Sequence, residues 1–429
     1  MKKFNLKYGN GAIDVSIAEE DLLGVIDSSV EVDNKSEEEV IRKALENPIG
    51  SNKLKELVHP GEKICIVVSD ITRAWQKMSV FLPYIIEELN GAGIKDEDII
   101  FISATGSHRG QTEEEHKSIL GEELYKRFTI IDHECTDKEN LTYIGTTSFG
   151  TPISINKIAA ECDHIVLTGA IVFHLLVGWG GGKKSLLPGI SSYETIMANH
   201  ALTLSPILGE GTNPLVRCGN TKGNPVHEDM VEACRMINPT FMFNVIIDGD
   251  GKIINAVAGD CIEAHEEGCK IVDKYDGVYI DEKADLVIAS AGGYPKDINL
   301  YQSSKTIINA REAVKKGGTI IILSQCSEGF GNYEVEDIIH NYNTILEREE
   351  TVRKNFTIPR YIGYFTSEVA YNFNMILVGE IDENLVKNAG IRVFKTLDDA
   401  LEFTYKEKGK TLKTYLMPHG ANTLPKLRK

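Results

Sequence analysis

Short runs of apolar residues alternate with amphipathic segments along most of the chain. Each run is followed closely by glycine, serine or aspartate, as is typical of strands that are buried on both faces of a parallel sheet. The segments between the runs have helical spacing. The runs in the first part of the chain are 63–68, 98–103, 128–132, 164–168 and 241–247. This alternation predicts a mostly parallel sheet flanked by helices.

A second series of apolar runs begins near Asp285 and repeats the same alternation. Its predicted strands are 284–290, 319–323, 374–379 and 391–395, and its predicted helices are 301–316, 334–350 and 397–406. We therefore expect an α/β protein of two domains, each with a mostly parallel sheet flanked by helices, and an active site in the cleft between them. The expected domains are 1–270 and 280–408, with a carboxy-terminal tail over 410–429 that can return to the first domain. Residues 411–420 of this tail are the predicted last strand.

Capping signals mark the start of several predicted helices. Ser36 is the N-cap candidate of an exposed helix that follows it. Ser191 and Glu194 have the spacing of a capping box and predict a helix over 192–201. Residues 205–230 are rich in glycine, asparagine and proline, which predicts a loop.

Composition and charge argue against several functional classes. The chain of 429 residues carries a net charge of −17 at pH 7, which disfavours a nucleic-acid partner. No apolar run of about 18 residues predicts a membrane span, and the amino terminus lacks the apolar core of a signal peptide. The eight cysteines are scattered without a C-x-x-C pair, which favours a reducing cytoplasm over a zinc ribbon or a disulfide framework.

Ionisable side chains follow three of the predicted strands, at the point where each strand ends. They are Asp70 and Arg73 after the first strand, His108 after the second and His174 after the fourth. Ligands of open α/β sheets bind outside the carboxyl ends of the strands. The sequence therefore predicts one composite site at this edge of the sheet.

A glycine-rich loop follows His174 and ends in Lys183 and Lys184. Glycine permits a close backbone approach, so the loop could lie against a flat or charged ligand while the lysines reach it. The loop does not match a phosphate-binding P-loop, since Val177 stands where the first glycine is required and Lys184 where serine or threonine is required. The alternative is a surface loop with two solvated lysines.

Three histidines are the candidates for chemistry: His108, His174 and His200. No H-x-x-x-H or H-E-x-x-H pair is present, which disfavours a zinc site built on one helix. Two well-separated histidines could instead act as acid and base on opposite faces of a substrate, which is what a racemase needs. The alternatives are a turn residue for His108 and a satisfied core residue for His174.

Arg73 and Asp70 are candidates for ligand binding. The guanidinium of Arg73 has a fork geometry suited to a carboxylate or a phosphate. Asp70 could orient Arg73, hold a histidine or accept a hydrogen bond from a ribose hydroxyl. The alternative for both is a structural ion pair in a loop.

Five motifs together resemble the nickel-dependent lactate racemase family in order and spacing. They are Ser-Asp-Ile-Thr-Arg at 69–73, Thr-Gly-Ser-His-Arg at 105–109, Phe-His at 173–174, Gly-Gly-Lys-Lys-Ser-Leu-Leu-Pro-Gly at 181–189 and Asn-His at 199–200. The resemblance implies a nickel-pincer nucleotide, a pyridinium mononucleotide whose two sulfur arms and ring carbon hold nickel. Separate cofactor-synthesis enzymes make this group, so protein expressed without them can lack it.

The resemblance also implies roles for individual residues. Lys184 would tether the cofactor through a thioamide, with Lys183 as the fallback, and His200 would complete the near-planar coordination of nickel. His108 and His174 would be the acid and base, aided by Asp70 and Arg73. The remaining implied cofactor contacts are Thr72, Gly181, Gly182, Tyr294 and Lys296.

The implied reaction is the racemisation of a small 2-hydroxy acid, above all the interconversion of D- and L-lactate. One histidine would remove the hydroxyl proton while the Cα hydride moves reversibly to the cofactor, giving a transient 2-keto acid. The family pattern leads us to expect a tryptophan near 355–365, but the chain has only Trp75 and Trp179. Phe356 or Tyr361 could take that place, and a larger 2-hydroxy acid is therefore an alternative substrate.

Two further functions compete with this interpretation. A nicotinamide-dependent dehydrogenase is disfavoured, because no G-x-G-x-x-G follows the first predicted strand. A two-domain protein that binds an anionic metabolite without turnover would use Arg73 and the glycine loop. It would give no reason for Lys184 and the three histidines to converge.

Overall fold

The structure is a computed structural model and describes residues 1–27 and 35–428. The predicted positions 410–429 therefore extend one residue beyond the described part. The strands are β1 (Lys2–Tyr8), β2 (Gly11–Ile17), β3 (Leu22–Val25), β4 (Ile64–Ser69), β5 (Ile99–Ala104), β6 (Thr129–Asp132), β7 (Leu141–Thr146), β8 (Pro152–Asn156), β9 (His164–Ala170), β10 (Phe173–His174), β11 (Gly178–Trp179), β12 (Phe241–Ile247), β13 (Ile253–Gly259), β14 (Gly277–Ile280), β15 (Ala284–Ser290), β16 (Val314–Leu323), β17 (Asn374–Val378), β18 (Arg392–Phe394), β19 (Thr414–Met417) and β20 (Leu424–Leu427).

Helices connect most of these strands. They are α1 (Glu37–Glu46), α2 (Leu54–Leu57), α3 (Met78–Gly91), α4 (Glu113–Leu120), α5 (Glu122–Arg127), α6 (Lys157–Glu161), α7 (Tyr193–Ala201), α8 (Pro225–Ile237), α9 (Glu263–Asp276), α10 (Leu300–Ala310), α11 (Tyr333–His340), α12 (Ile345–Lys354), α13 (Ile358–Asn372), α14 (Glu383–Val386) and α15 (Leu397–Lys408). Two short 3-10 turns, Ile71–Gln76 and Gly182–Ser185, carry candidate site residues.

The chain forms two units, and neither unit is one continuous segment. The first unit contains the described residues from 35 to Thr203 together with Leu215–Lys274. The second unit contains the described residues up to 27, Leu204–Pro214 and the chain from Tyr275 onward. These units differ from the expected division into 1–270 and 280–408, because the amino-terminal strands and a short central segment fold with the carboxy-terminal part.

The first unit is built on a six-stranded sheet in the order β13-β12-β9-β4-β5-β6. Its strands are parallel except β13, which pairs with β12 as an antiparallel hairpin. The first five residues of β4 are all fully buried, which explains why this strand is a continuous apolar run. The expected α/β fold is confirmed for this unit.

The second unit is built on a six-stranded, entirely parallel sheet in the order β18-β17-β16-β15-β19-β3. The β1–β2 hairpin contributes Leu6, Val15 and Ile17 to the core of this sheet. Strand β19, which falls within the predicted last strand, lies between β15 and β3, and its buried side chains complete the sheet of the second unit. The predicted last strand exists, but it pairs in the second unit rather than the first.

Several predicted elements differ from the observed ones for local reasons. The segment 205–230 is not all loop, because α8 begins at Pro225 with Asn224 as its N-cap. The predicted helix 301–316 ends at Ala310, and the chain re-enters the sheet as β16. The predicted helix 334–350 is two helices, and α13 after them was not predicted.

The N-cap of helix α7 lies one residue later than predicted. Ser192, rather than Ser191, accepts from the backbone N–H of Thr195. Ser191 is fully buried and its hydroxyl donates to the carbonyl of Leu186 at 2.8 Å.

Among the described helices, none combines the length and the apolar character that crossing a lipid bilayer demands.

Candidate active site

Asp70 and His108 form a hydrogen-bonded pair at the carboxyl ends of β4 and β5. Asp70 caps the 3-10 turn after β4, and its Oδ1 accepts from the Thr72 backbone N–H at 2.9 Å. Its Oδ2 lies 2.5 Å from Nδ1 of His108. Burial raises the pKa of Asp70, but the hydrogen bonds from His108 and Thr72 outweigh it and leave the pKa below its usual range. An ionised carboxylate therefore orients His108, whose ring is half exposed.

His174 lies on a two-residue hairpin strand, β10, which pairs with β11. Its Nδ1 accepts from the backbone N–H of Leu176 at 3.2 Å. Its Nε2 lies 2.8 Å from Nζ of Lys184. The hairpin thus turns the histidine toward the lysine that was predicted to carry the cofactor.

Lys184 is partly buried in the 3-10 turn Gly182–Ser185. Burial, reinforced by the nearby charge of Arg73, lowers the pKa of Lys184 to about 7. A large fraction of the amine is then unprotonated at neutral pH, in contrast to an ordinary lysine with a pKa near 10.4. An unprotonated amine is a nucleophile, so Lys184 is suited to form a covalent bond with a ligand.

His200 lies near the end of α7 and is 2% exposed. Its Nδ1 donates to the carbonyl of Ile196 at 2.9 Å, which leaves Nε2 as the acceptor nitrogen of the neutral ring. Burial and the charge of Lys184 lower the pKa of His200 to about 3. A neutral imidazole whose other nitrogen is fixed by a backbone carbonyl is the usual form of a metal-binding histidine.

Backbone contacts join the loops that carry these residues. The N–H of Gly106 donates to the carbonyl of Gly189 at 2.9 Å, which connects the loop of His108 to the end of the lysine segment. The charge of Arg73 lowers the pKa of Lys184, and the charge of Lys184 lowers the pKa of His200. The structure therefore brings six of the predicted residues into one region of the first unit: Asp70, Arg73, His108, His174, Lys184 and His200.

The glycines before the lysines pack against protein rather than open space. Gly181 has a φ of 77°, and a Cβ there would lie 2.4 Å from Oδ1 of Asn244. Gly182 has a φ of 55°, and its Cβ would lie 2.7 Å from the ring of His265. These glycines are required by the interior of the unit, in addition to any contact with a ligand.

Lys183 points to a different environment from Lys184. It is 2% exposed, and its Nζ lies 3.2 Å from Nδ1 of His265. Burial lowers the pKa of Lys183, and three buried cysteines lie close enough to act on it electrostatically. Lys183 therefore belongs to the interior beneath the loop, on the side of His265.

The remaining predicted residues have simpler environments. Arg73 is exposed, and its Nη1 donates to Oγ1 of Thr72 at 2.9 Å. Tyr294 is 61% exposed, and Nζ of Lys296 donates to Asn422 at 3.4 Å. Tyr294 and Lys296 lie in the second unit.

Two residues that matter for the geometry were missed in the sequence. Oδ1 of Asn244 accepts from the backbone N–H of Gly182 at 2.6 Å, and Nε2 of His265 lies 2.8 Å from the carbonyl oxygen of Gly180. An asparagine inside the apolar run 241–247 was the available signal, since a buried amide needs partners. His265 gave no comparable signal.

The candidate aromatic residues of the second unit are Phe356 and Tyr361. Their rings stack with centroids 5.9 Å apart. Tyr361 is 1% exposed and lies in the core, whereas Phe356 is partly exposed. Phe356 is therefore the better candidate for an aromatic contact with a ligand.

Two family models match the chain. The lactate racemase N-terminal domain matches residues 8–211, and the lactate racemase C-terminal domain matches residues 280–424. The chain is 35% identical over 437 residues to the lactate racemase of Lactiplantibacillus plantarum, covering 99% of this chain and 100% of that protein. It is 34% identical over 436 residues to the lactate racemase of Thermoanaerobacterium thermosaccharolyticum, covering 99% of each.

Solved structures agree with these matches. The lactate racemase apoprotein from Thermoanaerobacterium thermosaccharolyticum superposes with a TM-score of 0.89 at 31% identity, covering 99% of this chain and 100% of that one. A Thermotoga maritima protein has a TM-score of 0.64 at 18% identity, covering 93% and 100%, and shows the fold alone.

The α/β fold and its relatives define an enzyme of the isomerase class. Within that class, the similarity to two lactate racemases, at 35% and 34% identity over 99% of this chain, decides the assignment. The chain belongs to the lactate racemase family.

Proposed function

We propose that the protein interconverts D- and L-lactate by reversible hydride transfer to a nickel-pincer nucleotide tethered to Lys184. The observation that carries the proposal is the environment of this lysine. Its amine has a pKa of about 7 and lies 2.8 Å from Nε2 of His174. We propose the cytoplasm as its location and the cofactor-synthesis enzymes as its maturation partners.

The residues of the first unit fit the implied cofactor. Lys184 offers a nucleophilic amine for the tether, and His200 offers Nε2 of a neutral ring to nickel. Thr72, Gly181 and Gly182 are proposed to contact the nucleotide, and Lys183 is a less suitable tether because it is buried against His265. When bound, the cofactor supplies a reversible acceptor for the Cα hydride of the substrate.

His108 is proposed as one acid/base residue. Asp70 accepts the Nδ1–H of His108, so Nε2 is the nitrogen that can take the hydroxyl proton of a 2-hydroxy acid. The carboxylate also stabilises the imidazolium that results. Loss of this proton lets the Cα hydride leave and gives a 2-keto acid.

His174 is proposed as the acid/base residue for the opposite enantiomer. In the present arrangement its Nδ1 accepts from Leu176, so the neutral ring carries its proton on Nε2. A proton acceptor at Nε2 requires the other tautomer. The two histidines are thus held by different partners, a carboxylate and a backbone N–H.

Substrate orientation is assigned to charged side chains. Arg73 is exposed and retains a guanidinium that can bind a carboxylate or a cofactor phosphate. From the second unit we propose Tyr294 and Lys296 as further contacts. The position of the active site in the cleft between the two domains, expected from the sequence, stays a prediction.

The test uses protein produced together with the cofactor-synthesis enzymes and nickel. We expect a covalent mass increase, about one nickel per chain, and a 1:1 mixture of lactate enantiomers from either pure enantiomer. Lys184→Met should abolish all three, while Lys183→Met should retain the mass increase. Reaction in deuterium oxide should leave the Cα hydrogen in place, because a hydride does not exchange with solvent.

The outcomes separate the competing functions. If the adduct forms and a larger 2-hydroxy acid is racemised but lactate is not, the larger acid replaces lactate as the substrate. Deuterium at Cα would contradict hydride transfer and favour proton abstraction. Absence of both adduct and racemisation would favour the binding-protein alternative.

A further inference from the structure

Two buried cysteines lie next to each other beneath the glycine-rich loop that ends in Lys183 and Lys184, on the side of Lys183. We call this loop the lysine loop. Cys234 lies in the last turn of α8, and Cys261 lies in the turn two residues before α9 begins. They are 1% and 4% exposed, and their sulfur atoms are 2.6 Å apart. We call these two residues the thiol pair.

The separation of the thiol pair is unusually short for two side chains that are not bonded. Non-bonded heavy atoms prefer separations of about 3.5–4.0 Å, whereas a bonded pair of sulfur atoms is about 2.05 Å apart. The backbone thus already holds both side chains facing each other, and little movement separates the dithiol from the disulfide.

The surroundings of the thiol pair make Cys261 the more acidic of the two thiols. The hydrogen bond from Cys234 lowers the pKa of the Cys261 thiol, and the same bond together with burial raises that of Cys234. The amine of Lys183 is close enough to lower both. A nucleophilic thiolate beside a neutral thiol is the arrangement needed to form a disulfide.

We propose that the thiol pair is a redox-sensitive site, which a peroxide oxidises to a reversible disulfide between Cys234 and Cys261. The thiolate of Cys261 attacks one peroxide oxygen, the O–O bond breaks, and a sulfenic acid and hydroxide form. The thiol of Cys234 then attacks the sulfenic sulfur and displaces its hydroxyl group. In sum, two thiols and one hydrogen peroxide give one disulfide and two waters.

The position of the disulfide links it to the lysine loop. It would join the end of α8 to the start of α9, the helix that carries His265. His265 contacts both Lys183 and the carbonyl of Gly180. Oxidation would therefore restrain the layer that supports the loop from beneath, without using any group that faces Lys184.

Metal binding is a weaker explanation for the cysteines. Among the described residues, no three His, Cys, Asp or Glu side chains are grouped so that they could hold an ion. Nearby Cys269 has its sulfur 3.6 Å from Nδ1 of His265, so it faces the imidazole. It therefore serves as a control, a buried cysteine on α9 that lies outside the thiol pair.

The test needs no cofactor and so is independent of the proposed function. Native apoprotein is treated with hydrogen peroxide, quenched, alkylated after unfolding and digested without reductant. Mass spectrometry should find one Cys234–Cys261 linked peptide, two fewer of the eight thiols, and full reversal by dithiothreitol. The oxidised protein should unfold at a temperature several degrees higher, as a cross-link of the unfolded chain predicts.

Variants decide between this and other oxidation. Cys269→Ala should keep the linked peptide, and Cys234→Ala should lose it and give sulfenic or higher acids at Cys261. A linkage that appears only after unfolding, a linkage between other cysteines, or no linkage in the native wild type would overturn the proposal. The wild-type result stands even where a variant fails to fold.

Discussion

Lys183 and Lys184 are neighbours in the chain, yet they lie in opposite environments. The 3-10 turn that contains both sends the amine of Lys184 toward His174 and that of Lys183 toward His265. Burial lowers the pKa of both lysines. The difference therefore lies in access and neighbours: the amine of Lys184 lies beside the candidate catalytic residue His174, and that of Lys183 is enclosed with imidazole and thiol groups.

This contrast shows that the turn containing two adjacent lysines decides which of their amines faces the candidate site and which faces the interior. A lowered pKa makes an amine nucleophilic only where a reagent can reach it. The interior side of the loop is filled by Asn244 and His265, and the other side carries the residues proposed for chemistry.

The largest expected effect is on amine reactivity in the apoprotein. At pH 7 about half of the Lys184 amines are unprotonated, about a thousandfold more than for an ordinary lysine with a pKa near 10.4. Trace acetylation followed by peptide mass spectrometry should therefore label Lys184 first. Lys183 should stay unlabelled until the protein unfolds. Labelling of Lys183 before Lys184 would contradict the different environments described for the two amines.

The interior side of the loop is tested by Gly181→Ala. The new Cβ would meet Oδ1 of Asn244 at 2.4 Å and the carbonyl of Ala170 at 2.8 Å, at a φ of 77°. We expect a loss of about 2–4 kcal/mol in the free energy of unfolding, from backbone strain and overpacking together. The measurement is unfolding in urea.

Gly61→Ala is the matched control for that substitution. Gly61 has a φ of 94°, and no atom lies within 4 Å of its ideal Cβ. It should show the backbone cost alone, about 1–2 kcal/mol. Equal losses in the two variants would mean that the loop is not pressed against the interior.

The pH dependence of stability tests the Lys184 side. The pKa of Lys184 is about 7 in the folded protein and near 10.4 in the unfolded chain. Between these values the unfolded state binds more protons, so the free energy of unfolding rises with pH, by at most about 1.4 kcal/mol per unit. Lys184→Met should flatten this rise from pH 7 to 10, and parallel curves for wild type and variant would contradict the low pKa.

The smallest effect is expected from Arg73→Gln. Removing this charge raises the pKa of Lys184, so less amine is unprotonated and labelling at pH 7 should fall by about twofold to fivefold. Arg109→Gln is the control, because Arg109 is exposed and paired with Glu115 at 2.6 Å. Equal reduction in both variants would point to a general charge effect.

Much of the fold follows from the sequence because its strands are buried on both faces. Continuous apolar runs such as β4 and β15 need no long-range information to be recognised. The start of β16 could not be predicted in this way. Its residues Lys315 and Lys316 are exposed, and only pairing with β15 draws that segment into the sheet.

The candidate site was predictable as a set of residues but not as an arrangement. The positions of Asp70, His108 and His174 after strands were sufficient to expect a common site. The Asp70–His108 hydrogen bond and the opposite directions of the two lysines depend on turns whose geometry leaves no periodic signal. His265 comes from a separate helix, and its contact with the loop arises only from packing.

The interrupted course of the chain has a consequence for synthesis on the ribosome. Strand β3 ends at Val25, but its only partner in the described sheet is β19, which begins at Thr414. The first unit, by contrast, is complete once residue 274 has been made. We therefore expect the unit with the catalytic candidates to fold while translation continues. The edge of the other sheet must wait for nearly the last codons.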